Sequence, residues 1–434
     1  MNDRDTSPVL GEPDSLDALR QVVANARRLV PVGRQTKPLL TPPGVPRVSL
    51  RGLRGLIEYE PSEFTFTAWA GTTVAEVRQT LAEKGQYLPF DPPLADAGCT
   101  LGGVVAAGLS GPGRVRFGGI RDFLLGACLL DGNGEPLTVG GRVVKNAAGF
   151  DVPKLLVGSL GRLGVITQLT FKVFPTPPAT RTIRVACRDL ADASARIATA
   201  ARGRWEIDAA EYVCGGARDG GELLLRLAGP PPVLDALAGE IVGLWAGETE
   251  IIAEEAAGAI WRRWNDWREM PAGSVLLKVP CTLARFANLE SNCRTLGPRE
   301  LRLGCAGTVA WVTAGSAADL GEYDRVLRQL GMAGMAVYAA ASGDGEDGIG
   351  EVESPTETVP TEWLGVARPH RLASRIQAAL DPSGTFPPLP GEPPLPGESP
   401  LPGEPPLPGE SPLPGEPPLP GEQPLSGESP EPWN

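Results

Sequence analysis

Histidine is almost absent from this sequence: His370 is the only one among 434 residues. That count excludes a His dyad and multi-His metal ligation, and with them any cofactor tethered to histidine in the N-terminal half. The seven cysteines (Cys99, Cys128, Cys187, Cys214, Cys281, Cys293, Cys305) are odd in number and include no CxxC pair. They argue against a disulfide framework, a zinc site and an iron–sulfur cluster, and suit a reducing compartment. No stretch approaches the roughly 18 apolar residues of a membrane span, and MNDRDTSPVLGEPD has no apolar run for a signal peptide. Basic patches with interleaved aromatics are also missing, so nucleic acid is not an expected partner.

Acidic charge is present but unevenly placed. Eight glutamates and no Lys or Arg lie from Pro387 onward, so the formal charge of −12 falls to −4 over residues 1–386. The same tail repeats PLPGE with period six, seven times from Pro388 to Glu428, ending in PLSGE. Pro, Gly and Glu cannot bury a core, so residues 387–434 are expected to be extended and disordered. The body ahead of it is long enough for two domains, and PTPP at 175–178 reads as a linker between them.

Along the body, SLDALRQVVANARRL has helical spacing behind Asp14 or Ser15 as N-cap. LIEYEPSEFTFTAWA reads as two short strands around Pro61, and Thr73 to Glu76 as a capping box before a helix stopped at Gly85. DFLLGACLLDGNGEPLTV is a hairpin, VPKLLVGSL a short helix, and VITQLTFKV an alternating strand closed by Pro175. Beyond the linker, TIRVAC, ELLLRLAG, GSVLLKVP and TVAWVTAG alternate with helical segments, which predicts an α+β layer with an antiparallel sheet and helices on one side. Trp261, Trp264 and Trp267 fall at i, i+3, i+6 and read as core or domain interface. RPHRLASRIQAAL is a last amphipathic helix, stopped at Asp381-Pro382.

Three glycine-bearing segments remain. PVGRQTK is either a surface turn or a loop whose amides and Lys37 face a pyrophosphate. The segment from Tyr87 to Gly119 is long for a structureless loop, and its TLGG enters a helix of small residues. From Gly140 to Thr170 the chain is glycine-dense yet half strand-like, which suits a backbone lying against something flat or charged.

The run GGRVVKNAAGFDVPKLLVGSLGRLGVIT resembles, nearly residue by residue, the vanillyl-alcohol oxidase type (PCMH-type) FAD-binding domain. Its affinity is with the D-2-hydroxyacid dehydrogenase branch, and there with the FAD-binding (E) subunits of bacterial glycolate oxidase. The resemblance covers residues 20–178 strongly and DPSGTF at 381–386 more weakly. It implies an α+β fold in four parts: a PCMH-type FAD-binding domain over 1–178, an α+β cap over 179–360, a returning helix over 361–386, and the tail. It implies non-covalent FAD. Gly33, Arg34, Gln35, Thr36 and Lys37 would hold the pyrophosphate, and Gly98, Cys99, Thr100, Gly102 and Gly103 would pass the pyrophosphate and ribityl chain. Ser110, Gly111, Arg116 and Gly118 would approach the flavin, Gly164, Val165 and Ile166 would offer backbone to its edge, and Lys145 and Asn146 would lie near the ring. Asp151 and Arg121 are further candidates; Cys99 is read as space-filling and His370 as a helix-surface residue.

Two departures stand out. The family's pyrophosphate loop commonly has a glycine where this chain has Gln35, and single-chain relatives carry several histidines that this chain lacks. No catalytic base is identifiable from the sequence. The function implied is that of the FAD-binding subunit of a glycolate (2-hydroxy acid) dehydrogenase complex. A second flavoprotein subunit and an iron–sulfur subunit would be its partners, in the cytoplasm or peripheral at the inner membrane through them. Two alternatives stay open: a self-sufficient FAD-dependent D-2-hydroxyacid dehydrogenase, and a non-catalytic structural subunit.

Overall fold

In the computed structural model, residues 8–141, 151–215, 220–267, 269–340, 363–366 and 371–389 are described. Lys145, Asn146, His370 and the repeats beyond Leu389 lie outside them.

Local sequence sets the first elements. Ser15 accepts from the Ala18 amide and starts the helix Leu16–Asn25, which buries Leu19 and Val23. It ends short of Leu29 because Ala26 turns extended, with φ −82° and ψ 130°. The capping box forms, with 3.2 Å from Glu76 N to Thr73 Oγ1 and 2.8 Å from Thr73 N to Glu76 Oε2. Its helix, Val74–Ala82, buries Val74, Val77 and Leu81. VPKLLVGSL gives only a 3-10 turn, Val152–Leu155, with proline in its first turn and Gly158 at φ +85° beyond it.

Five strands join in an antiparallel sheet in the order Leu56–Glu60, Thr65–Trp69, Val165–Lys172, Leu124–Leu130, Pro136–Gly140. The first two flank Pro61 and the last two form the expected hairpin. Val165–Lys172 sits at the centre, so its threonines are buried as well; the Thr67 and Thr170 hydroxyls satisfy each other at 2.9 Å. Phe66 stacks on Phe171 at 5.7 Å and Phe90 on Phe171 at 6.2 Å, each ring contributing about 1.5–3 kcal/mol by burial. A small parallel sheet, Val9–Gly11, Arg47–Ser49, Val30–Val32, lies beside it and delivers the chain to Gly33.

The second half is a nine-stranded antiparallel sheet. Its order is Thr249–Ile252, Ala179–Cys187, Gly221–Gly229, Ala209–Cys214, Glu300–Gly304, Val309–Ala314, Val275–Pro280, Ala333–Ala339, Trp363–Gly365. Helices Leu190–Arg202, Pro231–Leu244, Leu283–Arg294 and Leu320–Gln329 share one core on one face. The other face is not left open. The helix Glu254–Asp266 covers part of it with Trp261 and Trp264, and Leu276, Val309, Trp311, Met335 and Val337 pack into the core of the first half. One-sided helical cover thus holds for four helices, while the fifth crosses because its tryptophan stripe needs an apolar partner.

After the helix Arg371–Leu380 the chain returns to the first half. The Asp381 carboxylate accepts from Thr385 N at 2.8 Å and Phe386 N at 2.7 Å, and Leu29 N donates to Thr385 O at 2.8 Å. Gly132 fits against this knot only as glycine, since a Cβ there would lie 2.0 Å from Asp381 Oδ1. Among the described residues no helix is long and apolar enough to cross a membrane.

Candidate functional site

Two loops meet where the parallel sheet ends. A Cβ on Gly33 would stand 2.3 Å from Thr100 Oγ1, so only glycine lets the loop from Gly33 to Lys37 close on the segment from Gly98 to Gly103. Gln35 adopts φ +53°, the left-handed conformation for which glycine is favoured, at a cost of about 1–2 kcal/mol. Its Oε1 accepts from Arg47 Nη1 at 3.2 Å, so the chain keeps a glycine-like turn with glutamine. Thr100 caps the helix Leu101–Ala107 by accepting from Gly103 N at 3.2 Å. Gly102 donates to Ala70 O at 2.9 Å, with no room for a side chain.

Positive charge gathers here without an answer. Lys37 is 8% exposed, donates to Thr36 Oγ1 at 3.1 Å, and faces Gly103. Among the described residues no carboxylate pairs with it, and burial lowers its pKa. Arg34 Nε is likewise buried, with no hydrogen-bond acceptor among the described residues. A buried ammonium is costly unless an anion accompanies it, so the residues present fit a diphosphate. Cys99 is fully buried, donates to Pro93 O at 3.1 Å, and its thiol is pushed up to about 11 by burial. It is a space-filling thiol here, not a reactive thiolate.

On the sheet side, pairing of Val165–Lys172 with Thr65–Trp69 stops at Gln168, and Ala70 N donates to Thr167 O at 2.8 Å. Val165 and Ile166 keep their other ladder, to Leu130 and Leu129, and are buried after Gly164 at φ +143°. Ser110 Oγ accepts from Ile120 N at 2.9 Å. Gly118, at φ +89°, makes way for the Asp122 carboxylate. Arg116 is committed elsewhere: it donates to Ala228 O at 2.8 Å and pairs with Glu206 at 2.6 Å. Asp151 pairs with Lys154 within its own turn, and Arg121 is exposed.

The segment from Pro89 to Gly118 is the seam between the two halves. Asp91 Oδ2 accepts from Gly113 N at 2.9 Å and from Arg226 Nη2 at 2.6 Å, while Arg226 also holds Asp208. Asp266 Oδ1 takes the amides of Asp96 and Ala97, and Leu94 N donates to Asn265 O. Arg302 lies between the rings of Trp264 and Trp267, 4.5 and 4.2 Å from their centroids. The tryptophan stripe is therefore interface, with Trp267 turned off the helix end at φ +58°.

Three charged residues on strands complete the seam, and the sequence reading missed them. Lys278 Nζ donates to Gly108 O at 3.1 Å. Glu211 Oε1 accepts from Cys305 N at 2.8 Å. Arg302 joins them, its pKa lowered to about 9 by burial. Burial also pushes Glu211 up to about 8 and Lys278 down to about 8. The available signal was a charge among apolar strand residues: Lys278 in VLLKVP, Glu211 in AAEYV, and Arg302 in ELRLG, where it also pairs with Glu300. Glu211 carries a pH dependence of known sign. Its folded pKa lies above the usual 4.5, so its favourable contribution is complete below 4.5 and lost as pH rises toward 8. Glu211→Gln should flatten that part of a melting-temperature profile between pH 5 and 9; an unchanged slope would contradict the assignment.

A glycine-walled anion cradle at the end of a small parallel sheet, closed over by an antiparallel sheet, defines a flavoprotein of the PCMH-type fold. Residues 9–140 match the family model described as an FAD binding domain. The chain is 31% identical over 375 residues to the glycolate oxidase subunit GlcE of Escherichia coli K12, covering 86% of this chain and 95% of that one. It belongs to that family of FAD-dependent oxidoreductase subunits, and FAD is its cofactor. Partial relatives include a D-2-hydroxyglutarate dehydrogenase of Xanthomonas citri pv. viticola, 28% identical over 46% of this chain and 43% of that one. Another is the glycolate oxidase subunit GlcD of Bacillus subtilis, 29% identical over 30% and 27%. The fold also matches alkyldihydroxyacetonephosphate synthase, with a TM-score of 0.61 at 14% identity, over 86% of this chain and 75% of that one.

Proposed function

We propose that this chain is the FAD-holding subunit of a glycolate dehydrogenase complex that takes part in oxidising glycolate to glyoxylate and passes electrons to partner subunits. The observation that carries the reading is the buried ammonium of Lys37, without a carboxylate partner among the described residues, in a loop that Gly33 closes against Thr100. Near-complete coverage of GlcE supports it. Bound FAD supplies the two-electron acceptor for the alcohol carbon. Lys37, Arg34 and the amides of the two loops hold its diphosphate, and Val165, Ile166 and the segment from Ser110 to Gly118 enclose the ring. In this reading residues 1–178 bind FAD, 179–360 cap it, and 361–386 return to the first part. The partners are a second flavoprotein subunit and an iron–sulfur subunit, since the cysteine spacing offers no cluster motif of its own. The complex works in the cytoplasm or at the membrane surface through those partners.

Anaerobic addition of glycolate tests this. The isolated flavin-loaded chain should keep its visible absorbance and bleach once partner subunits are added. Bleaching in isolation would instead make it a self-sufficient dehydrogenase, and protein without flavin would make it structural. Gln377 Nε2 donates to Pro387 O at 2.7 Å, and Leu389 N donates to Gln377 Oε1 at 3.3 Å. Truncation should therefore fall after Leu389, where flavin content measured by absorbance is expected to be unchanged. Loss of FAD on that truncation would assign the repeats a part in the site.

A further inference from the structure

Lys278 is the single charge in the strand Val275–Pro280, on the sheet face turned toward the first half. Its register partners are Trp311 on one side and Met335 on the other, both in the core shared with the first half. The ammonium reaches across the seam to Gly108 O at 3.1 Å, and among the described residues no carboxylate pairs with it. The charged and titratable groups facing it are Arg114 and the thiol of Cys305. Arg114 is exposed, and among the described residues it has no carboxylate partner either.

The turn behind this pair is strained. Cys305 and Ala306 both take φ +51°, about 1–3 kcal/mol each for residues other than glycine, a pattern that clusters at functional sites. The turn presents Cys305 Sγ to Gly111 O at 3.6 Å and Cys305 N to Glu211. Cys305, Arg302, Arg226 and Asp91 face Glu211, which burial keeps mostly protonated at neutral pH. The seam beside Gly108 and Gly111 therefore brings two cations, Lys278 and Arg114, together, while the carboxylates at its rim are already engaged, Asp91 by Gly113 N and Arg226 and Asp122 by Gly119 N.

We propose that Lys278, with Arg114 beside it, receives the carboxylate of a small hydroxy acid in the seam at Gly108 to Gly111. This assignment rests on the function proposed above and makes Lys278 a substrate-positioning residue. It accounts for a cation left facing a single carbonyl, because a carboxylate would supply the missing counter-charge.

Oxalate, a dicarboxylate with no C–H to lose, is the probe, titrated calorimetrically into flavin-loaded protein. Binding is expected at pH 7 and should weaken about tenfold by pH 9, since Lys278 with its pKa near 8 is then mostly neutral. Lys278→Met should weaken oxalate binding at least tenfold at pH 7 with flavin content unchanged, and Lys278→Arg should restore it and shrink the pH effect. Oxalate affinity indifferent to Lys278→Met, or no binding by the parent protein, overturns the assignment. Should Lys278→Met fail to fold, Arg114→Gln decides: about threefold weaker binding supports the assignment and unchanged binding overturns it. Protein that purifies without flavin defeats the proposed function, whereas Lys278-independent oxalate binding in flavin-loaded protein defeats only this inference.

Discussion

Replacing Lys37 with methionine will strip FAD from the protein without unfolding it. The ammonium is buried against Thr36 with no carboxylate among the described residues, so it helps only when an anion arrives. A charge-assisted contact of that kind is worth about 1.5–3 kcal/mol, which corresponds to about 10- to 150-fold in FAD affinity. Without FAD, the methionine variant should melt no lower than the parent, because a desolvated charge has been removed. The pH dependence has a definite sign. Burial lowers the folded pKa of Lys37, so the flavin-free protein binds fewer protons than its unfolded chain and gains stability as pH rises toward 10.5. A bound diphosphate opposes that shift. Flavin content after gel filtration, fluorescence quenching by FAD and apo-protein melting measure the three effects. A methionine variant that keeps wild-type flavin stoichiometry would place the diphosphate elsewhere.

Removing Arg226 will unlock the seam. Its guanidinium stands between Asp91 and Asp208, with side-chain exposures of 14%, 20% and 5% respectively, and over the Trp261 ring at 4.9 Å. Taking one partner from a buried ionic cluster costs about 3–5 kcal/mol, because the charges left behind stay desolvated. Asp208 is already raised by burial, with Arg226 opposing. In Arg226→Met that opposition disappears, so the Asp208 carboxylate should take a proton more readily and the variant should regain stability on acidification. Urea midpoints at pH 5 and pH 7 provide the check. Adding Asp91→Asn and Asp208→Asn should recover part of the loss, and a variant as stable as the parent at pH 7 would show that the seam does not depend on this cluster.

Short-range chemistry was legible in the sequence. The Thr73–Glu76 box, the DGNGE hairpin and the glycines at 33, 102 and 164 each answer to a neighbour within a few residues or to a family pattern. What sequence order hides is convergence. Asp91, Glu211, Arg226, Lys278 and Arg302 come from five separate stretches and meet only because one sheet face is laid on the loop from Pro89 to Gly118. The helix over Val152–Leu155 was overestimated for the opposite reason, since local proline and glycine outweighed its apolar spacing. Gln35 shows a third case, in which backbone geometry is kept although the residue that usually permits it is not.

The knot at Asp381 has a consequence for how the molecule is made. Leu29 and Gly132 obtain backbone partners from Thr385 and Leu380, more than 240 residues later in the chain. Contacts of such sequence separation form late, because the intervening chain must be ordered first. The N-terminal half therefore cannot close as an independent unit while the chain is still being synthesised. Its last bonds wait until residue 386 has emerged, so Leu29, just ahead of the strand that leads into the cofactor loop, gains its backbone partner only after the cap sheet has been made.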